Sequence, residues 1–150
     1  MQRRILPILV SALGLALAAG CATGSSGPTA ATPWNQAAVT GLARQLSTAA
    51  DAWQLALRQQ DPAQLGSGTS QEGLRLIQKA QVVSEHARAL AGHLDAGEGR
   101  EQTLDTFRSL KEITDDAQQD QARTITDKPT LAAWSKFTGL VRQVQPYYEK

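Results

Sequence analysis

The sequence predicts an all-α fold: an antiparallel up-down four-helix bundle behind a flexible N-terminal tether. Three observations carry this. Apolar residues recur at spacings of three and four in four separate segments, which places each set on one side of a helix. The segments are joined by short stretches rich in glycine, proline, threonine and aspartate, and short loops make consecutive helices antiparallel neighbours. No stretch alternates with period two, and no Asn-Gly pair separates apolar runs, so strands have no support.

The first helix opens at "TPWNQ". Thr32 is a good N-cap and Pro33 suits the first helical position. Its stripe runs Val39, Leu42, Leu46, Ala49, Trp53 and Ala56, widened by Ala50 and Leu57. Asp61-Pro62 ends it, because the residue before proline avoids helical geometry. After the loop "AQLGSGTSQE", Thr69 and Glu72 have capping-box spacing, and the second stripe is Leu76, Ala80, Val83, Ala87, Leu90 and Leu94. Gly97 and Gly99 close that helix. The third carries Leu104, Phe107, Leu110, Ile113 and Ala117, then fades through "QQDQARTIT". Asp127 or Thr126 caps the fourth, with Pro129 in its first turn. Its stripe is Trp134, Phe137, Val141 and Val144, and Pro146 ends it. Many stripe positions are alanine, so some helices should approach closely.

Upstream of these helices the chain has a different character. Arg3 and Arg4 precede an apolar run, Ile5 to Ala19, interrupted only by Ser11 and, near its start, by Pro7. A spanning helix needs about 20 apolar residues, so this shorter run has the layout of a secretory signal. Ala18, Ala19 and Gly20 then lead into Cys21, the only cysteine. A lone cysteine forms no internal disulfide, and a catalytic thiol needs a base held on a scaffold beside it. "LAAGC" resembles the lipobox of bacterial lipoproteins, with Ala18 where that family prefers leucine. The resemblance implies cleavage before Cys21, diacylglycerol on its sulfur and acylation of the new amino end. It divides the chain into residues 1–20 (signal), 21–32 (lipidated cysteine and tether) and 33–150 (bundle). Ala22 follows the cysteine, where an aspartate tends to mark inner-membrane retention. The implied address is therefore the periplasmic face of the outer membrane.

Losing Arg3 and Arg4 takes the 15 basic residues to 13 against 14 acidic ones, a net charge of −1. A nucleic-acid binder would show a basic excess on one face, so that class is not expected, and anionic lipid headgroups would gain little from this net charge either. The tether "ATGSSGPTAA" is uncharged and small. About 12 residues of this kind reach roughly 20 Å on average, and about 40 Å fully stretched.

No catalytic constellation stands out. His86 and His93 are the only histidines. Seven apart, they lie about 10.5 Å from each other along a helix axis, too far to share one metal ion. No Cys-x-x-Cys-His occurs and Met1 leaves with the signal, so a haem bundle is not expected. Glu101, Asp105, Glu112 and Asp116 form an acidic row on the third helix, facing away from Phe107, and no Glu-x-x-His accompanies them. "GSGTS" lacks the lysine and the preceding strand of a phosphate loop. The expectation is a non-catalytic protein without metal or cofactor, anchored by lipid on Cys21, that binds another envelope protein. A small-ligand or metal carrier using the bundle interior or the acidic face is the alternative. In size, address and helix content the plan is similar to secretion pilotins, although many of those carry a disulfide that this domain cannot form.

Length suggests where a partner would dock. Three helices of about 26 residues and a fourth ending near Gln145 would leave the seam between the first and third helices uncovered at one end. The residues there are Trp34, Val39, Leu94 and Leu104, with Tyr147 and Tyr148 either exposed beside the gap or folded over it.

Overall fold

A computed structural model describes residues 32–60, 70–124 and 126–149, and every regular element in it is helical. The elements are α1 (Gln36–Gln59), α2 (Ser70–Asp95), α3 (Arg100–Arg123) and α4 (Lys128–Tyr148). The expectations for residues 1–31, the Asp61-Pro62 stop and the Thr69 cap lie outside the described residues.

Cross-helix contacts give the direction of each helix. Arg44 pairs with Asp95, Asp51 with Arg88 and Arg58 with Gln81, so position rises along α1 as it falls along α2. Lys79 meets Asp116 and Asp120 across the α2–α3 hairpin. Arg100 and Thr103 at the start of α3 reach Tyr148 at the end of α4. Trp34 touches Tyr148, and Trp53 touches Trp134, which runs α4 antiparallel to α1. The order is therefore up-down-up-down around a ring, and the diagonal pairs α1/α3 and α2/α4 do not approach each other.

The caps follow elementary preferences, with one shift. Asn35, not Thr32, is the N-cap of α1: its side chain accepts from the Ala38 amide at 3.1 Å. Thr32 and Pro33 stay outside the helix, and the Thr32 amide donates instead to the Pro146 carbonyl at 3.2 Å. Gly97 has φ of 86°, where a side chain is strained. Its amide bonds the Leu94 carbonyl, and the next amide, of Glu98, bonds the His93 carbonyl; together these two bonds end α2 and reverse the chain. Asp127 caps α4 by accepting from the Thr130 amide at 2.9 Å. Those hydrogen bonds hold the Asp127 carboxyl below its ordinary range.

The α2 stripe is buried as its spacing predicts. On α1, Ala43 and Leu57 are fully buried while Leu42 and Ala56 are only partly covered, a rotation of the stripe by part of a turn. Alanines at 43 and 50 of α1 and 80 and 87 of α2 are fully buried, and this helix pair runs closely together. Larger side chains gather at two levels. Trp53, Trp134 and Phe137 pack in one group, with the Trp53 and Trp134 ring centroids 4.5 Å apart. Trp34, Phe107 and Tyr148 form the other, at the end where α1 begins and α4 finishes.

Candidate functional site

Of the two arrangements the sequence leaves open at this end of the bundle, the covered one is present: Tyr148 folds over the gap. Pro146 does not stop α4; the helix passes through it to Tyr148. Proline there removes one amide donor in the last turn, a modest loss so close to a helix end. Contacts beyond the proline offset it. The Tyr148 ring stacks on Phe107 at 4.3 Å between centroids, and Trp34 meets it edge-on at 5.4 Å. Its hydroxyl shares a 2.7 Å hydrogen bond with Thr103 Oγ1. Arg100 donates to the carbonyl oxygens of Tyr148 and Glu149 at 2.9 and 2.8 Å, satisfying the last turn of α4. Gln36 donates to the Leu94 and Glu98 carbonyls and ties α1 to the α2–α3 turn.

The six residues named for the partner site are placed accordingly. Val39, Leu94 and Tyr148 are core residues, and Trp34, Leu104 and Tyr147 are half-buried against that core. The six do not form an open apolar gap. Length alone could not show this, because the decisive event is α4 continuing past a proline.

Burial pushes the Tyr148 phenol above its ordinary value of 10.0, against the opposing pull of the Thr103 hydrogen bond and the Arg100 charge. The neutral form is the one that fits. Its contribution to stability is complete below the unfolded value and is lost as pH rises through the folded one. Denaturant titrations at about pH 9 and about pH 11 should therefore show a fall in stability that a Tyr148→Phe variant lacks. An equal fall in both proteins would show that other groups carry the alkaline loss.

A different seam is parted. α3 and α4 close the ring but come near each other at few points. Between them lies a groove of about 220 Å³ lined by Lys111, Thr114, Asp115 and Gln118 of α3 and by Trp134, Thr138, Val141, Arg142 and Gln145 of α4. Of the buried positions of α3, only Thr114 lines it. Half of that helix's buried positions are polar: Thr103, Thr114 and Gln121. Thr114 turns its hydroxyl back to the Leu110 carbonyl at 2.7 Å, which satisfies that hydroxyl within α3. Trp134 fills the seam partway from α4 while packing on Trp53. The result is a cleft with an indole and Val141 on one wall and amide, hydroxyl and charged groups around them. Lys111 and Asp115 pair across one turn at 2.7 Å. Thr114, a polar position facing inward on α3, is the one available signal at this groove, and a reading of apolar stripes alone passes over it.

The remaining candidates hold no assembled chemistry. His86 Nδ1 sits 3.0 Å from the Val82 carbonyl, and His93 Nδ1 2.8 Å from Glu98 Oε1, so each histidine is engaged within its own helix or the adjoining turn. In the acidic row, Asp105 pairs with Arg108, and Asp116 shares Lys79 with Asp120. Burial opposes the charge of Lys79, but its two carboxylate partners outweigh that and raise its pKa above the usual range. Among the described residues no three His, Cys, Asp or Glu side chains converge as a metal site would require. Likewise, no described helix is long and apolar enough to cross a membrane. The interior, where a carried ligand would sit, holds Trp53, Phe137, Leu46, Leu90 and Leu110 at full burial. No protein family, curated protein or solved structure matches this chain.

Proposed function

We propose that this chain is a non-catalytic lipoprotein, held by acyl groups on Cys21 at the periplasmic face of the outer membrane. Its helical domain binds another envelope protein through the α3–α4 groove. The observation that supports the anchor is the run from Arg3 to Cys21: charged start, short apolar stretch, small residues, single cysteine. The observation that supports binding is the parted seam with Trp134 in its wall, since tryptophan set among polar groups is typical of protein contact sites. The groove replaces the bundle end as the proposed contact, because the end is occupied by the protein's own Tyr148.

A photo-crosslinking residue placed at Gln118, in cells making the full chain, tests this. The expected result is one dominant adduct with an envelope protein. Thr138→Arg, which puts a long charged side chain into the groove, should reduce that adduct by about tenfold, the effect of losing a central contact. Adducts of equal yield from a crosslinker on the outward face of α2 would count against the groove as the contact.

A further inference from the structure

We propose that the outward face of α4 is the surface by which the tethered domain lies against an anionic lipid leaflet; this rests on the anchoring of Cys21. Helix α4 carries Lys128, Lys136 and Arg142 and no acidic residue, whereas α1, α2 and α3 each mix both signs. At about 100° per residue the three cations fall within roughly a third of the helix circumference, opposite buried Phe137 and Val144. Between them lie Ala132, Ser135 and Gly139, which leave the face low, and Leu131, which is 47% exposed. Among the described residues none of the three cations has an ion pair or hydrogen bond. Arg44, Lys79, Arg88, Arg108 and Lys111 are each paired with aspartate. Arg75 and Arg123 are unpaired too among the described residues, but only on α4 do unpaired cations share one helix with no acidic residue, so the net charge of −1 conceals a basic face and the expectation that anionic headgroups gain little is revised here.

The position of the anchor makes a leaflet that partner. The Thr32 amide bonds the Pro146 carbonyl, so the chain coming from Cys21 joins the bundle beside the last turn of α4. Eleven peptide steps separate Cys21 from Thr32, a maximum span of about 36–40 Å. The 21 residues of α4 are about 31 Å long. The leash therefore lets the whole α4 face reach the surface in which Cys21 is fixed. Each cation near an anionic surface raises residence by roughly fivefold. Three such contacts are weak for a free domain but sufficient to orient one already held at high local concentration. Lying this way, the domain turns α2, diagonal to α4, away from the lipid and leaves the α3–α4 groove opening along the surface.

The test uses the mature chain with Cys21→Ser and a histidine tag at residue 21, bound to nickel-chelating lipid in vesicles. The result then bears on α4 whether or not Cys21 is acylated in cells, and acylation is read separately from the mass of the native protein. A single cysteine is placed at Gly139 on the α4 face or at Gly92 on α2. Both positions have open space for a side chain. A fluorescent label at 139 should be quenched by headgroup-quencher lipids several-fold more than one at 92 in phosphatidylglycerol vesicles. The difference should vanish in phosphatidylcholine vesicles, at about 0.5 M salt where charges are screened, and in the Lys128→Gln/Lys136→Gln/Arg142→Gln variant. Equal quenching at the two sites on phosphatidylglycerol overturns the proposal. So does shielding of 139 that arises only when envelope proteins are added, which would assign the face to a protein.

Discussion

Trp53→Ala is expected to lower the unfolding free energy by about 3–5 kcal/mol, a large part of the roughly 5–15 kcal/mol that holds a domain of this size. Trp53 is fully buried, 4.5 Å from Trp134 and 6.0 Å from Phe137 between ring centroids. Alanine would leave a cavity at the level where α1 and α4 meet, and the neighbouring rings are too large to collapse into it without leaving their own contacts. Trp53→Phe should lose much less, about 1–2 kcal/mol. The indole Nε1 has no hydrogen-bond partner among the described residues, so removing it relieves an unmade bond while keeping most of the aromatic volume. Urea titration followed by helical circular dichroism measures both. A phenylalanine variant as unstable as the alanine one would mean that the indole nitrogen is satisfied by a partner not seen here. Trp134 gives a further signal, since its fluorescence should shift to the red when Trp53, tilted against it, is deleted.

On the proposed lipid anchoring, Cys21→Ser, exported behind an ordinary cleavable signal, is expected to appear in the soluble periplasmic fraction while the native chain fractionates with membranes. Each buried methylene contributes about 0.8 kcal/mol, so two or three acyl chains hold well beyond ~15 kcal/mol, whereas a single short chain holds only marginally. Against this, the three cations of α4 contribute at most ~3 kcal/mol at an anionic surface. Loss of the sulfur therefore removes nearly all attachment, and the remainder should wash off in high salt. Fractionation followed by detection of the domain reads the outcome. Protein that stays with salt-washed membranes would require another anchor and would remove the basis for the address.

The helices were legible because burial imposes a period on sequence. The α2 stripe from Leu76 to Leu94 was read position by position, since both neighbours of that helix press on one continuous apolar face. Caps were legible where one residue type has a clear advantage, as at Gly97, whereas at the start of α4 the sequence leaves Asp127 and Thr126 both open and the structure selects Asp127. They were misplaced where two good candidates lie close together. Thr32 and Asn35 can both cap, and Asn35 prevails while the Thr32 amide bonds Pro146 across the bundle. Pro146 misled for the same reason. A proline reads as a stop because it removes a local bond, and the contacts that carry α4 past it come from Phe107, Thr103 and Arg100, some forty residues or more away in sequence.

What the sequence determined by itself is therefore periodic or local: four helices, their amphipathic sides, most of their ends, and the charged, apolar and small-residue pattern that leads to Cys21. Each follows from a preference acting within a few residues. Which seam closes and which parts is of another kind. Tyr148 fills one end of the bundle while α3 and α4 stay parted beside Trp134, because packing is decided by the volumes and polarities of side chains on different helices meeting in one place. No stretch of chain contains that sum, so only the tertiary structure decides it.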